Sequence, residues 1–334
     1  MMIGFASSSR FVDHDTRPGH PERPDRIRAI YTALHQAQLI PGNPFAQFTK
    51  DFRPLPPFRN LLYSIEPQPA EVKWLRTIHP QSHIDRVKKM CERGGGILDE
   101  GDTPVSPASF EVALLALGAI LDCCDAVMSG TCKRAFAAVR PPGHHAEPNH
   151  PMGFCLFANV AIAAKYLQQK HGLQKIAIVD FDVHHGNGTQ ACFESDPSVF
   201  FVSMHQHPRT CYPGTGFESE TGSGEGHGHT LNIPFWPGST DDAYIAAMQQ
   251  AVLPALGHFH PDFLLISAGF DAHADDPLAQ MSLTEVGFLR MSQILANFAD
   301  EHCAGRVVSA LEGGYDLRAL GRSVVNHLAG MGAT

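Results

Sequence analysis

Short, almost wholly apolar runs recur along this chain: IGFA from Ile3, AFAAV (135–139), KIAIVDFD (175–182), VFFVSMH (199–205), TLNIPF (230–235), FLLISAGF (263–270) and RVVSAL (306–311). Most are separated by segments with apolar residues at helical spacing, over about 157–170, 241–257, 284–301 and 317–330. Uninterrupted apolar strands alternating with helices imply a mostly parallel sheet with both faces covered, an α/β fold with three layers. The first 110 residues are less regular. Helical periodicity is present over 26–39 and again over 70–90. Ser109 is placed to cap a long helix that closes at Gly130. The segment 41–60 carries five prolines and reads as a loop that either shapes a rim or forms an oligomer contact. Nothing before it is large enough to fold alone, so one domain over 1–334 is expected.

Composition narrows the partners. With 25 Lys+Arg against 34 Asp+Glu the net charge is −9, which argues against direct nucleic-acid binding. Hydrophobic residues at 43% exclude disorder. No apolar run reaches the roughly 18 residues of a membrane span, and no signal peptide is legible. The 8 Cys contain no C-x-x-C pair, so reduced thiols in a cytoplasmic protein are expected rather than a structural zinc site. The 20 His are more than ordinary usage supplies.

Those histidines gather where the strands end. AFAAV is followed by Arg140-Pro-Pro-Gly-His144-His145, KIAIV by Asp180-Phe-Asp182-Val-His184-His185-Gly-Asn187, FLLISAGF by Asp271-Ala-His273, and RVVSAL by Glu312-Gly-Gly-Tyr315. Ligands of open α/β sheets bind beyond the carboxyl ends of the strands. Asp180, Asp182 and His184 alternate along one strand end and share a face. Asp182 and His184, with Asp271 from another strand, make a two-oxygen, one-nitrogen set with an open position, the pattern of a catalytic zinc. A lone D-x-H would more simply cap a helix; the repetition at four strand ends is what favours a metal. The His144–His145 pair suits proton transfer, with Asp180 and Asn187 as candidate acceptors for their far nitrogens. Tyr315, after two glycines, could donate to a developing oxyanion.

The motifs HPERPDRI (20–27), RPPGHHA (140–146), GFC-x-F-x-N (153–159), DFDVHHGNGTQ (180–190), YPGTG (212–216), SAGFDAH (267–273) and EGGYD (312–316) together resemble the zinc-dependent histone deacetylase family, which includes acetoin-utilisation proteins and acetylpolyamine amidohydrolases. The resemblance spans nearly the whole chain. It implies an arginase–deacetylase fold, one zinc held by Asp182, His184 and Asp271, and hydrolysis of acetylated amines. It further implies that His145 is the general base and later the acid, that His144 is its partner oriented by Asp180, and that Tyr315 is the oxyanion donor. A structural potassium ion on Asp180, Asp182, His184, Ser203 and Met204 is also implied. Gly153, Phe154 and Tyr212 match the acyl-lysine channel. Asn187, where another branch carries Asp, and the Glu-Gly-Gly-Tyr start resemble the class II-like branch.

Two departures bear on substrate. Leu278 stands where the polyamine-specific relatives place Glu, and HPERPDRI lacks their constricting insertion. Both favour acetyl-lysine of a protein or peptide, with acetylpolyamine as the alternative, since Asp275 and Asp276 and the net charge of −9 leave room for a cation. Two other readings compete. A binuclear manganese ureohydrolase is suggested by Asp271-Ala-His273-Ala-Asp275 but lacks the Gly-Gly-Asp-His element. A non-catalytic scaffold would normally have lost a ligand or a catalytic His, and none is missing.

Overall fold

A computed structural model of the chain describes residues 2–47, 62–99 and 101–332. The strands are β1 (Ile3–Ala6), β2 (Tyr63–Ile65), β3 (Gly96–Ile97), β4 (Pro104–Val105), β5 (Arg134–Ala137), β6 (Ile176–Asp180), β7 (Val199–Gln206), β8 (Thr230–Phe235), β9 (Phe263–Ala268) and β10 (Val307–Leu311). The α-helices are α1 (Asp25–Gln36), α2 (Val72–Leu75), α3 (Gln81–Glu92), α4 (Ser109–Met128), α5 (Asn159–His171), α6 (Asn187–Phe193), α7 (Asp241–Ala247), α8 (Leu253–Phe259), α9 (Glu285–His302) and α10 (Leu317–Gly330). Eight strands form one sheet in the order β2-β1-β5-β10-β9-β6-β7-β8, and each of its neighbouring pairs is parallel. The expected α/β architecture is therefore present, an arginase–deacetylase-type sheet layered with helices. β1, β5, β6, β7, β9 and β10 are buried on both faces, and their Val, Ile, Phe and Ala side chains join those of the helices in one apolar core.

The strand order sets the site. β5, β10, β9 and β6 are consecutive across the sheet, and one row of the register runs Ala137–Ala310–Ser267–Asp180. Because all four are parallel, the residues that follow each of them emerge on one edge, side by side. In the chain they are separated by tens of residues.

Several elements differ from expectation for identifiable reasons. The helical pattern over 70–90 is broken into α2 and α3 around Pro80, which cannot donate a backbone hydrogen bond. Ser109 lies in the first turn of α4 rather than capping it; its Oγ accepts from Ser106 N at 2.8 Å and meets His14 Nδ1 at 2.7 Å. The helix expected over 241–257 is α7 and α8 joined by a π turn (Met248–Val252), with Pro254 removing a donor just beyond it. β2, the β3–β4 hairpin and α6 are too short to show a period in the sequence. The Pro-rich 41–60 segment lies largely outside the described residues. No helix among the described residues is long and apolar enough to cross a membrane, and all eight cysteines are free.

Candidate active site

Asp180 is the last residue of β6; Asp182 and His184 lie beyond it on a loop, not on one strand face as the alternation suggested. The reason is visible in the backbone. Asp182 N donates to Asp180 Oδ1 (3.0 Å), Val183 N to Asp271 Oδ1 (2.9 Å) and His184 N to Asp182 Oδ1 (2.9 Å). Side-chain carboxylates replace the neighbouring strand's carbonyls, so the chain leaves the ladder without orphaning its donors.

That loop brings Asp182 and His184 to Asp271, which follows β9. Their ligand atoms lie within 4.8 Å of one another and all three residues are buried. His184 Nδ1 is 3.0 Å from Asp182 Oδ1 and 3.2 Å from Asp271 Oδ2. Asp271 Oδ2 accepts no hydrogen bond from any described group although it is fully buried. A Cβ added at Gly313 would come within 2.0 Å of it, so glycine alone leaves that space open. Gly313 N donates to Asp182 Oδ2 at 2.7 Å and braces the same cradle from β10. Two buried carboxylates and an imidazole converging on one point, one oxygen unsatisfied, fit a divalent cation of the zinc type.

The His144–His145 turn comes from β5. His144 Nδ1 lies 3.0 Å from Asp180 Oδ2, and His145 Nδ1 lies 2.7 Å from Asn187 Oδ1. Asn187 Nδ2 donates to Glu147 Oε1 at 2.9 Å, which fixes the amide so that its oxygen faces His145. His145 therefore carries its proton on Nδ1 and leaves Nε2 free to accept one. The two rings, 4.0 Å apart, sit in opposite electrostatic settings. Burial opposes the charge on His144, but Asp182 and Asp180 outweigh it and push its pKa up to about 10. Burial, reinforced by the neighbouring His144 and His184, holds His145 well below the usual imidazole range. Glu312 Oε2 accepts from Gly143 N (2.7 Å) and His144 N (3.1 Å), clamping the turn from β10.

A cavity of about 370 Å³ opens above these groups, lined by His145, His184 and Tyr315 at depth and by Gly153, Phe154, Tyr212, Leu278, His20, Pro21 and Asp102 around it. Phe154 and Tyr212 stand edge-on to Tyr315 (5.9 Å) and His145 (5.1 Å) respectively. Gly153 has φ +56°, and a Cβ there would meet the His145 ring at 2.4 Å. Burial, then the charge of Asp271, raises the Tyr315 pKa well above the ordinary phenol value, so it is a neutral donor. The Arg26 guanidinium sits 5.0 Å from the Tyr315 ring centre and donates to Gly314 O at 2.7 Å and to Glu312 O.

Ser203 pairs with Asp180 in register on β7, with Met204 beside it; Ser203 Oγ meets His205 Nδ1 at 2.9 Å. Asp276 does not face the cavity as a cation-attracting acid. It is 7% exposed and accepts backbone N–H groups, while Asp275 is on the surface, 3.7 Å from Arg322. Sequence reasoning missed His20, Asp102, Arg26 and Glu312 as parts of the site. Three of them lie inside quoted motifs, but only contacts across the sheet edge reveal what they hold.

A paired-histidine turn beside three residues that fit a divalent cation is the equipment of a hydrolase, and comparison with known proteins identifies which. A histone deacetylase domain model matches residues 20–331. The chain is 40% identical over 267 residues to the histone deacetylase-like amidohydrolase of Pseudomonas aeruginosa, covering 79% of this chain and 70% of that one. It is 37% identical to a probable deacetylase of Archaeoglobus fulgidus, covering 95% and 82%. The crystal structure of the HDA15 HD domain superimposes with a TM-score of 0.89 at 37% identity, covering 100% of this chain and 91% of that one. The chain belongs to the histone deacetylase family and is a deacetylase hydrolase.

Proposed function

We propose that this chain, acting as one domain, removes acetyl groups from lysine side chains of proteins or peptides. The observation that carries the reading is the convergence of Asp182, His184 and Asp271 beneath a narrow aromatic-walled cavity. Those three residues would hold a zinc ion, which supplies Lewis acidity toward the acetyl carbonyl and its attacking water. Phe154 and Tyr212 grip the neutral butyl stem of the lysine by apolar burial and keep bulk water out. His145 Nε2 takes a proton as water adds to the carbonyl carbon. Tyr315 donates to the oxygen that gains charge. When the C–N bond breaks, His145 returns the proton to the departing amine, and acetate and free lysine leave. Positive His144, paired with Asp180, favours the negative transition state, and Asn187 holds the His145 ring. A potassium ion on Asp180, Asp182, His184, Ser203 and Met204 would brace the loop. Eight free cysteines suit the reducing cytoplasm.

Leu278, 38% exposed at the cavity mouth, offers an alkyl group rather than a charge, which supports the peptide substrate. The exposed carboxylate of Asp102 at the same mouth favours the second reading, an acetylpolyamine with a distal ammonium. Values of kcat/KM for an acetyl-lysine peptide against acetylputrescine, acetylcadaverine and acetylspermidine decide between them. We expect the peptide to lead; a large preference for polyamines reverses the assignment. Replacing Tyr315 by Phe is expected to lower kcat on the acetyl peptide by about 10²–10³-fold, the usual effect of losing one oxyanion donor. Unchanged turnover would remove Tyr315 from the chemistry.

A further inference from the structure

We propose that Asp276 is a positioning residue for Tyr315, an inference that rests on Tyr315 being the oxyanion donor. Tyr315 follows Gly313 and Gly314, and Gly314 has φ +116°. A phenol at the end of such a link keeps its place only if the backbone just beyond the glycines is anchored. Asp276 supplies the anchor. Its Oδ2 accepts from Tyr315 N at 2.7 Å and from Asp316 N at 3.2 Å. Its Oδ1 accepts from Leu278 N at 3.0 Å. The carboxyl group is buried, so these bonds are made in a dry setting where they are strong and directional. They reach across from the loop after β9 to the loop after β10. One side chain thereby sets both the oxyanion donor at the cavity floor and Leu278 at its mouth. Asp275, one residue earlier, is 62% exposed at its side chain and takes no part.

The expected signature follows from what an oxyanion donor does. A displacement of about 1 Å in a reacting group costs on the order of 10²-fold in rate. An acetyl carbonyl depends heavily on the donor. A trifluoroacetyl carbonyl is already polarised by its fluorines and depends on it less. Asp276→Ala should therefore lower kcat on an acetyl-lysine peptide by about 10²-fold with KM changed little, yet lower trifluoroacetyl-lysine turnover by less than about 10-fold. Zinc content should match the wild type. In a Tyr315→Phe background, adding Asp276→Ala should cost almost nothing more, because the group it positions is gone. Asp276→Asn keeps the shape but offers one acceptor oxygen to three N–H groups, and should shift the acetyl-to-trifluoroacetyl ratio in the same direction by less. Asp275→Asn is the control and should leave both rates unchanged.

Equal losses on the two substrates, or losses that multiply with Tyr315→Phe, would overturn the positioning role while leaving the deacetylase reading intact. Full acetyl activity in both Asp276 variants would do the same. A wild-type protein that hydrolyses neither acetyl substrate class would instead overturn the reading itself, and the role of Asp276 with it.

Discussion

Asp271→Asn is expected to abolish zinc binding and to lower kcat/KM for acetyl-lysine peptide by at least about 10³-fold, since Lewis-acid stabilisation is worth several kcal/mol. The choice of Asn separates chemistry from folding. Its amide oxygen can go on accepting the Val183 N–H that Asp271 Oδ1 takes at 2.9 Å. Its amide nitrogen then replaces Oδ2, the buried oxygen that accepts no hydrogen bond, and presents a donor where a cation needs an acceptor. The thermal midpoint of the metal-free protein should hardly move between wild type and variant. Metal analysis by mass spectrometry and peptide turnover are the measurements. A variant that still binds one zinc per chain with wild-type affinity would show that the three residues do not form the centre.

The largest stability effect is expected at Glu22. It is fully buried, accepts from Arg140 Nε and, at 2.7 Å, from Arg140 Nη2, and lies 3.2 Å from Arg26 Nη1. Removing it strands two buried cations. Breaking such a pair by deleting one partner costs about 3–5 kcal/mol, and Glu22→Gln should lower the unfolding free energy by that order. Burial alone would raise the Glu22 pKa, but Arg140 outweighs it and holds the carboxyl down to about 2, from 4.5. A depressed carboxyl contributes stability that is complete above 4.5 and is lost as the pH falls toward 2. The shift corresponds to about 3 kcal/mol. Urea unfolding at a series of pH values should show the wild type losing stability steeply across that window and Glu22→Gln losing correspondingly less. Parallel acid slopes for the two proteins would refute the linkage. Activity should suffer too, because Arg140 opens the His144–His145 turn and Arg26 holds the carbonyls of Glu312 and Gly314.

The family of this protein, and the side chains that gather at one edge of its sheet, were largely legible from its residues. Apolar runs followed by Asp, His and Tyr at four separate places are a local pattern, and period and composition are what a linear reading detects. The resemblance to the deacetylases extended that reading to a metal set, a base and a donor. The elements that escaped were those shorter than a period, such as β2 and α6, or those interrupted by proline, as at Pro80 and Pro254. The substrate argument from acidic residues was misplaced for a related reason: Asp275 and Asp276 are indistinguishable in a string, yet one faces water and the other is consumed by three backbone donors.

By itself, then, the order of amino acids determined which side chains sit at strand ends, because strand length and polarity are local properties. Only the tertiary structure decided which strand ends are neighbours. The arrangement β5-β10-β9-β6 is not the order of the chain. It arises because parallel strands must be joined by crossovers, and packing of helices against the sheet, not sequence adjacency, chooses where each crossover returns. That choice put Asp271 beside Asp182 and His184, Glu312 behind the paired histidines, and Asp276 under Tyr315.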